Sequence, residues 1–597
     1  MGIDRSKIEE KFKWQIEKMY ENKEAVEKDI QQVKDLISKT KEYKGKLGDS
    51  WENLYEALNV SEKVSQILQN LYVYTHMKQH EDTRINENQA LATKTDMLST
   101  ELSMATSYLV PELLSIEDEK LKEFLKNEKL DFYKKHIEDI LREKPHTLNE
   151  REEEILAATS DLSGIAENVY EMLSFADLEF PEIEDEQGNK VKLTQSNYSL
   201  FLKSKNQKVR KEAFDATYLV YGKYKNTFAS TLYGGIKSEI FYAKIRKYES
   251  ALQSSLFQDD ISVDVYNNLI SAVDENLDSL NKYINLRKKF LGLDELHMYD
   301  LYVPLTDKFD MKITYQEAQE IILKALSPLG DEYLSLIKRA FDERWIDVYE
   351  NEGKQGGAYS WGSYDSNPYI LMNYNDDLNS LFTLIHELGH SMHSYYSKHN
   401  QPYIYSSYKI FVAEVASTLN ELLLINYLLE NSKSKEEKIY LLNYYLEQFR
   451  TTVYRQTMFG EFEKLTHESV EAGEPLTAQE FTSLYYKLNE KYYGKSTIVD
   501  EEIGLEWARI PHFYSNFYVY KYATGFSAAS ALSIQILEEG QPAVDRYTTF
   551  LKSGGSDYPL NQLRLAGIDM EKKESIDEVL KTFSNLVDEL EKEYKNK

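Results

Sequence analysis

Apolar residues recur at intervals of three and four along nearly all of this 597-residue chain. That period constrains the fold more than any other feature, because only a helix turns such positions onto one face. Val33, Leu36 and Ile37, then Leu54, Leu58, Val60, Val64 and Leu68, carry it through the first third, with Glu and Lys between them as solvated faces. Two stretches interrupt it. Around Phe180–Leu193, two short alternating segments flank Gly188-Asn189, which predicts a β-hairpin. Between Asp347 and Asn375, glycines (Gly353, Gly356, Gly357, Gly362) alternate with aromatic and β-branched residues, which predicts a small sheet. The helical period returns at Leu378. The expected architecture is mainly α, with an N-terminal helical lobe over 1–195 ending in the hairpin, and the remainder over 196–597.

Composition removes whole classes of function. Asp and Glu exceed Lys and Arg, 100 against 71, for a net charge of −29. Such a surface repels phosphate backbones and argues against a nucleic-acid partner and, more weakly, against anionic membranes. No run of about eighteen uncharged apolar residues occurs, so no membrane-spanning helix is expected. The first residues are charged without an apolar core behind them, so no signal peptide is expected and a cytoplasmic location is the default. There is no Cys. Disulfides, thiol catalysis and thiolate metal sites are thereby excluded, and any metal must be held by His and carboxylates.

Against that background His386-Glu387-Leu388-Gly389-His390 stands out. Two His four apart lie one helical turn apart on one face, and both imidazoles can reach a single ion. Glu387 is placed to reach a water there rather than the metal. With 11 His and 100 acidic residues in the chain, a chance match is expected only about three times in a hundred such sequences. Catalytic zinc takes three protein ligands and leaves one position open. His393 lies a further turn along, too far for a compact tetrahedron, so a carboxylate from a neighbouring helix is the better third ligand. The apolar run Phe411–Leu424 embeds two acids, Glu414 and Glu421, seven apart and hence on one face. A charge in such a run is costly unless it is paired or bound to a cation. Glu414 is one candidate ligand and Glu421 a partner for an imidazole N–H.

His386–His390 followed by Phe411-Val412-Ala413-Glu414-Val415-Ala416-Ser417 resembles the thimet-oligopeptidase-like zinc metallopeptidases, and within them the oligoendopeptidase F group. Gln456–Glu463, Pro511–Tyr514, Tyr520–Phe526 and Ser553–Leu560 fit the same pattern. The resemblance implies a two-lobed helical shell around a deep substrate channel, with one zinc at its floor and the small sheet next to the zinc helix. It implies His386, His390 and Glu414 as zinc ligands and Glu387 as general base. It also implies a His and Tyr residues on a late loop as oxyanion donors: here His512 matches the His, and Tyr514, Tyr518 and Tyr522 are the nearby phenols; which Tyr acts is left open, with Tyr522 taken as the catalytic candidate and the other two as candidate substrate contacts. The edge at Gly357-Ala358-Tyr359-Ser360 is expected to bind an extended peptide by strand addition. Short unstructured peptides are the implied substrates, and the oligomeric state is left open.

Two alternatives have discriminating features. A zinc carboxypeptidase or dipeptidyl carboxypeptidase needs a basic residue for the substrate's C-terminal carboxylate, and Arg509 is the candidate. A non-catalytic shell with structural zinc would tolerate loss of Glu387.

Overall fold

The computed structural model describes residues 3–306 and 311–595. It is mainly α. The elements that matter here are, in chain order, helices α1 (Lys23–Thr40), α2 (Trp51–Glu81) and α3 (Asn86–Thr106), the strands β1 (Glu182–Glu184) and β2 (Lys190–Lys192), and helices α4 (Gln207–Ile245) and α5 (Val263–Glu275). There follow β3 (Ile346–Asp347), β4 (Tyr359–Trp361) and β5 (Tyr369–Leu371), then α6 (Leu378–Asn400), α7 (Ile410–Glu430), α8 (Arg455–Glu471) and α9 (Tyr520–Glu539).

Two compact units emerge, and each is discontinuous in sequence. The first comprises 1–145, 310–427 and 532–567; the second comprises 146–309, 428–531 and 568–597. The linear division expected at residue 195 therefore does not coincide with these units. The reason is that long-range packing, not chain order, defines them: the N-terminal helices share a unit with the small sheet and with α6.

In the first unit, α1, α2 and α3 bury the periodic residues of the sequence against one another. Val26, Ile30, Val33 and Ile37 meet Val64, Leu68 and Leu71 and then Leu98 and Leu102. Side-chain oxygens start these helices: Asn22 accepts from the Ala25 N–H and Ser50 from the Asn53 N–H, each supplying a partner for an otherwise orphaned donor. The sheet has the order β3-β5-β4, parallel between β3 and β5 and antiparallel between β5 and β4. A buried charge cluster ties its ends together. Asp347 accepts from Arg5 and pairs with Lys354 at 2.7 Å, and Lys354 also donates to the Tyr349 carbonyl at 2.7 Å.

The second unit contains the predicted hairpin. Glu182 to Glu184 pair antiparallel with Lys192 to Lys190, and Gly188 takes φ +80° in the connection. Its core is threaded by charge networks. Arg210 meets Asp300 at 2.7 Å with both side chains buried. Glu506 accepts from Arg455 at 2.8 Å, Arg509 at 2.7 Å and the Tyr485 hydroxyl at 2.7 Å.

Helix α7 is long and apolar enough, by length and mean hydropathy of 1.2, to cross a membrane, contrary to the expectation that no segment would be. Glu414 and Glu421 interrupt it, and 61% of the stretch is buried inside the protein. It serves as a core helix of the fold.

Candidate active site

Helix α6 begins where Asp377 accepts a hydrogen bond from the Ser380 N–H, and it buries Leu381, Leu384, Ile385, Leu388 and Met392. That packing leaves His386 and His390 on the remaining face. The glycine between them sets the next distance. A Cβ on Gly389 would stand 2.5 Å from the Cα of Ser417 and 2.7 Å from the Ala416 carbonyl oxygen, so only glycine lets α7 approach this closely. Asn420 clamps the contact from α7, donating to the Ile385 carbonyl at 3.2 Å while accepting from the Tyr333 hydroxyl at 3.1 Å.

The close approach delivers Glu414. Its Oε2 lies 3.4 Å from His386 Nε2 and 3.4 Å from His390 Nε2, and the two nitrogens are 3.2 Å apart. Three ligand atoms held at about 2.0–2.1 Å from one ion at tetrahedral angles stand about 3.3–3.4 Å from each other. The observed triangle thus matches one face of such a tetrahedron, and among the described residues this trio is the group of His and acids able to hold a metal. The donor set fits a divalent cation with a taste for nitrogen and oxygen.

Surrounding groups orient the three donors. Glu421 hydrogen-bonds His386 at Nδ1, which leaves the Nε2 lone pair aimed at the centre of the triangle. Ser417 donates to Glu414 Oε2 at 3.0 Å. Burial opposes a positive charge on His386, but Glu414 and Glu421 outweigh it and raise the imidazole's affinity for a proton to about 10. Partial burial likewise works against the Glu414 carboxylate, and the two imidazoles outweigh it, holding it well below the usual carboxylate range. The site concentrates negative potential where a cation would sit. Glu414 is nevertheless 48% exposed, which leaves the triangle open to solvent on one side.

Glu387 is buried beside the triangle. Burial pushes its carboxyl upward, against the pull of His386 and His390, and it receives a backbone hydrogen bond from Ser360 of β4. That bond follows from the sheet register. Ile370 gives its N–H to the Trp345 carbonyl at 2.8 Å and so faces β3, and its antiparallel partner Ser360 must direct its own N–H and carbonyl away from β5, to the free edge. Side chains alternate accordingly. Ser360 Oγ meets Ser391 Oγ of α6 at 2.8 Å, while the Tyr359 hydroxyl meets His80 Nδ1 of α2 at 2.8 Å. Of the expected edge, Gly357, with φ +82° and its carbonyl accepting from Asn373 at 2.9 Å, and Ala358 precede β4, and Tyr359, paired with Leu371, directs its main-chain groups to β5.

His393 is not among these ligands. It is buried, stacked on Tyr408 at 3.6 Å, and burial drops its proton affinity to about 3.

His512, Tyr514, Tyr518 and Tyr522 belong to the second unit. There the Tyr522 hydroxyl lies 3.3 Å from His512 Nε2, and the Tyr518 ring meets that of Tyr522 edge-on at 5.3 Å. Tyr514 turns elsewhere, its hydroxyl 2.7 Å from Thr231 Oγ1 and its ring stacked on Tyr170 at 4.5 Å. Arg509, the residue a carboxypeptidase would require, has its guanidinium on Glu506. The sequence reading gave no role to Ser417 and Asn420, polar groups whose meaning depends on which helix faces them, and it placed Ser360 on the peptide-binding edge without foreseeing its bond to Glu387. For Gly389 a signal existed, since glycine inside a helix weakens it unless something packs against the backbone.

Two imidazoles and a carboxylate around one point, with a buried acid alongside, make a candidate metal site on a helical scaffold. Comparison with known proteins supplies the class. Residues 200–582 match the model of peptidase family M3, and 112–180 match that described as oligopeptidase F. The chain is 51% identical over 589 residues to oligopeptidase PepF of Bacillus subtilis, covering 98% of this chain and 88% of that protein. It is 41% identical to group B oligopeptidase PepB of Streptococcus agalactiae, covering 99% and 98%. The crystal structure of oligoendopeptidase-F from Enterococcus faecium superposes with a TM-score of 0.73 at 36% identity, over 96% of this chain and 99% of that one. A crystal structure from Chlamydophila abortus does so at 0.95 and 37%, over 99% and 100%. The chain belongs to peptidase family M3, and it is a metalloendopeptidase.

Proposed function

We propose that the protein is a zinc-dependent endopeptidase that hydrolyses internal bonds of short, unstructured oligopeptides. The observation that carries this reading is the near-equilateral triangle of His386 Nε2, His390 Nε2 and Glu414 Oε2 with Glu387 buried beside it. His386, His390 and Glu414 are the ligands. Bound there, zinc would polarise the scissile carbonyl and make a water acidic enough to attack near neutral pH.

The chain's own groups do the rest. Glu387 takes the proton from the attacking water and passes it to the leaving amine, a role that its raised proton affinity suits. Glu421 holds the His386 ring in the tautomer that ligates through Nε2. His512 and Tyr522 donate to the oxyanion as it develops and Tyr518 contacts substrate, while the packing of Tyr514 on Tyr170 and Thr231 weighs against the substrate contact expected of it. The stretch Gly357, Ala358 and Tyr359 leads into the free edge of β4 that accepts the peptide as an added strand, with the outward Ser360 carbonyl as its acceptor, because Tyr359 itself turns its main-chain groups to β5. An extended main chain is what such an edge recognises, and that restricts substrates to flexible peptides. Pairing of Arg509 with Glu506 weighs against the carboxypeptidase alternative. The net charge of −29 weighs against nucleic-acid or membrane partners, and we place the enzyme in the cytoplasm.

Glu387→Gln tests the mechanism. It should retain one zinc per chain and the wild-type melting behaviour while lowering kcat on an internally quenched peptide by about 10³–10⁴-fold. Wild-type turnover by this variant would overturn the assignment of the base. A peptide with a blocked C-terminus should be cut as well as the free one; if it is not cut, the carboxypeptidase reading replaces ours.

A further inference from the structure

Beneath the loop that carries His512, Tyr514 and Tyr518, α8 presents an acid that the mechanism does not use. Glu463 is 2% exposed. Its Oε1 accepts the Phe517 N–H at 3.1 Å, while its Oε2 is buried and meets no protein donor. Phe517 is a non-glycine residue with φ +53°, a left-handed turn that L side chains adopt only when their surroundings impose it. That turn separates His512 from Tyr518 and Tyr522 and folds them back together, so that the Tyr522 hydroxyl comes to 3.3 Å from His512 Nε2. Four contacts hold it: the Glu463 hydrogen bond, the Phe517 ring against His467 at 4.5 Å and against Tyr266 at 5.7 Å, and the Asn516 carbonyl accepting from Ser255 Oγ at 2.9 Å.

The charge around Glu463 is unfavourable for a carboxylate. From α4, Glu239 faces it as a second acid. From α8 itself, His467 commits its ring nitrogens to the Glu463 carbonyl at 2.8 Å and to Glu239 Oε2 at 2.7 Å, and not to the Glu463 side chain. From α5 comes the phenol of Tyr266, which donates to the Gly460 carbonyl at 2.7 Å, and the Tyr520 ring of α9 lies 5.2 Å from that of Tyr266. Burial, and then Glu239, push the Glu463 carboxyl far above its ordinary value. The buried Asn516 Oδ1 likewise has no donor. With one oxygen unpaired and a second acid nearby, the buried carboxyl is far cheaper to hold protonated than ionised.

We infer that Glu463 is a positioning residue: a neutral carboxylic acid that locks the left-handed turn at Phe517 and thereby sets His512 against Tyr522. This rests on the reading of His512 and Tyr522 as oxyanion donors, but its tests do not all depend on that reading. An acid that is neutral when folded and ionised when unfolded takes up a proton on folding, so it makes stability fall as pH rises above about 4.3. Glu463→Gln keeps the acceptor and cannot ionise. Measured on the zinc-loaded enzyme, its thermal midpoint should exceed that of wild type by a margin that widens from pH 5 to pH 8. A margin that stays constant or narrows between pH 5 and pH 8 would show that Glu463 takes up no proton on folding and overturn the neutral acid. The same variant should keep kcat within about twofold of wild type, whereas Glu463→Ala should lower kcat about 10- to 100-fold with KM changed far less, and should speed hydrogen exchange at the Phe517 amide. Unchanged kcat, or unchanged exchange, in Glu463→Ala would overturn the positioning role. If the alanine variant does not fold, Glu463→Asp, one methylene short of Phe517, is read by the same criteria. Tyr522→Phe separates the two readings: if it leaves kcat unchanged, the oxyanion assignment fails, while the midpoint and exchange results still decide the state and grip of Glu463.

Discussion

Glu414 and Glu506 are both glutamates that face two basic side chains, yet they do different things. Glu506 is buried between Arg455 and Arg509, whose guanidinium groups bring permanent charge and fork-shaped donors, with the Tyr485 hydroxyl as a third partner. Such a cluster is complete as it stands. Glu414 faces two imidazoles, which are bases with lone pairs as well as donors, and it is half-exposed. A carboxylate with arginines makes a strut, and a carboxylate with two histidines makes the ligand set we propose. Residue type on the opposing side, not the presence of an acid in an apolar helix, separates structure from chemistry.

The comparison can be broken most severely at the ligand set. Glu414→Ala should lose bound metal and lower peptidase activity at least about 10³-fold, read by elemental analysis and quenched-peptide hydrolysis, with the melting behaviour of the second unit unchanged. Next comes the strut. Burial opposes ionisation of Glu506, and Arg455 and Arg509 outweigh it, bringing its carboxyl down to about 2. Because the folded value lies below the unfolded one, the stabilisation is present above about pH 4.3 and is lost as pH falls toward 2. Glu506→Gln should cost about 3–5 kcal/mol at pH 7, by leaving two guanidinium groups without their counter-charge, and should flatten the acid limb of the urea midpoint. Metal content should not move.

A smaller effect is expected where the backbone, not a ligand, sets the site. Gly389→Ala inserts a methyl at 2.5 Å from Ser417 Cα, so α7 must shift, at a cost of about 1–3 kcal/mol in stability and a loss of zinc affinity without removal of any donor. Wild-type affinity in that variant would show that the helix spacing is not what brings Glu414 to the imidazoles. The mildest is Glu421→Gln, which should weaken zinc about 10- to 100-fold by competitive chelation while the three ligands remain.

How much of this was legible in the sequence follows the same division. Periodicity gave the helices because packing on one face leaves a pattern in the residues themselves, and the breaks at Phe180–Leu193 and Asp347–Asn375 marked the hairpin and the small sheet. His386 and His390 were legible because a helix fixes their spacing. Glu414 was legible as an acid in an apolar run, and the family resemblance singled it out from Glu421. The compact units were not legible, since 1–145 joins 310–427 through contacts that leave no local trace. Among 47 tyrosines, nothing local distinguished Tyr522, which faces His512, from Tyr514, which packs on Tyr170 and Thr231. Glu463 looked like any helical glutamate until Phe517 was seen above it.

The most direct test is diffraction from crystals of the zinc-loaded wild-type enzyme, recorded on both sides of the zinc absorption edge. One anomalous peak per chain should fall about 2.0–2.2 Å from His386 Nε2, His390 Nε2 and a Glu414 carboxylate oxygen, with a fourth position open to solvent. A peak at other residues, or an active enzyme with no peak at these three, would contradict the account.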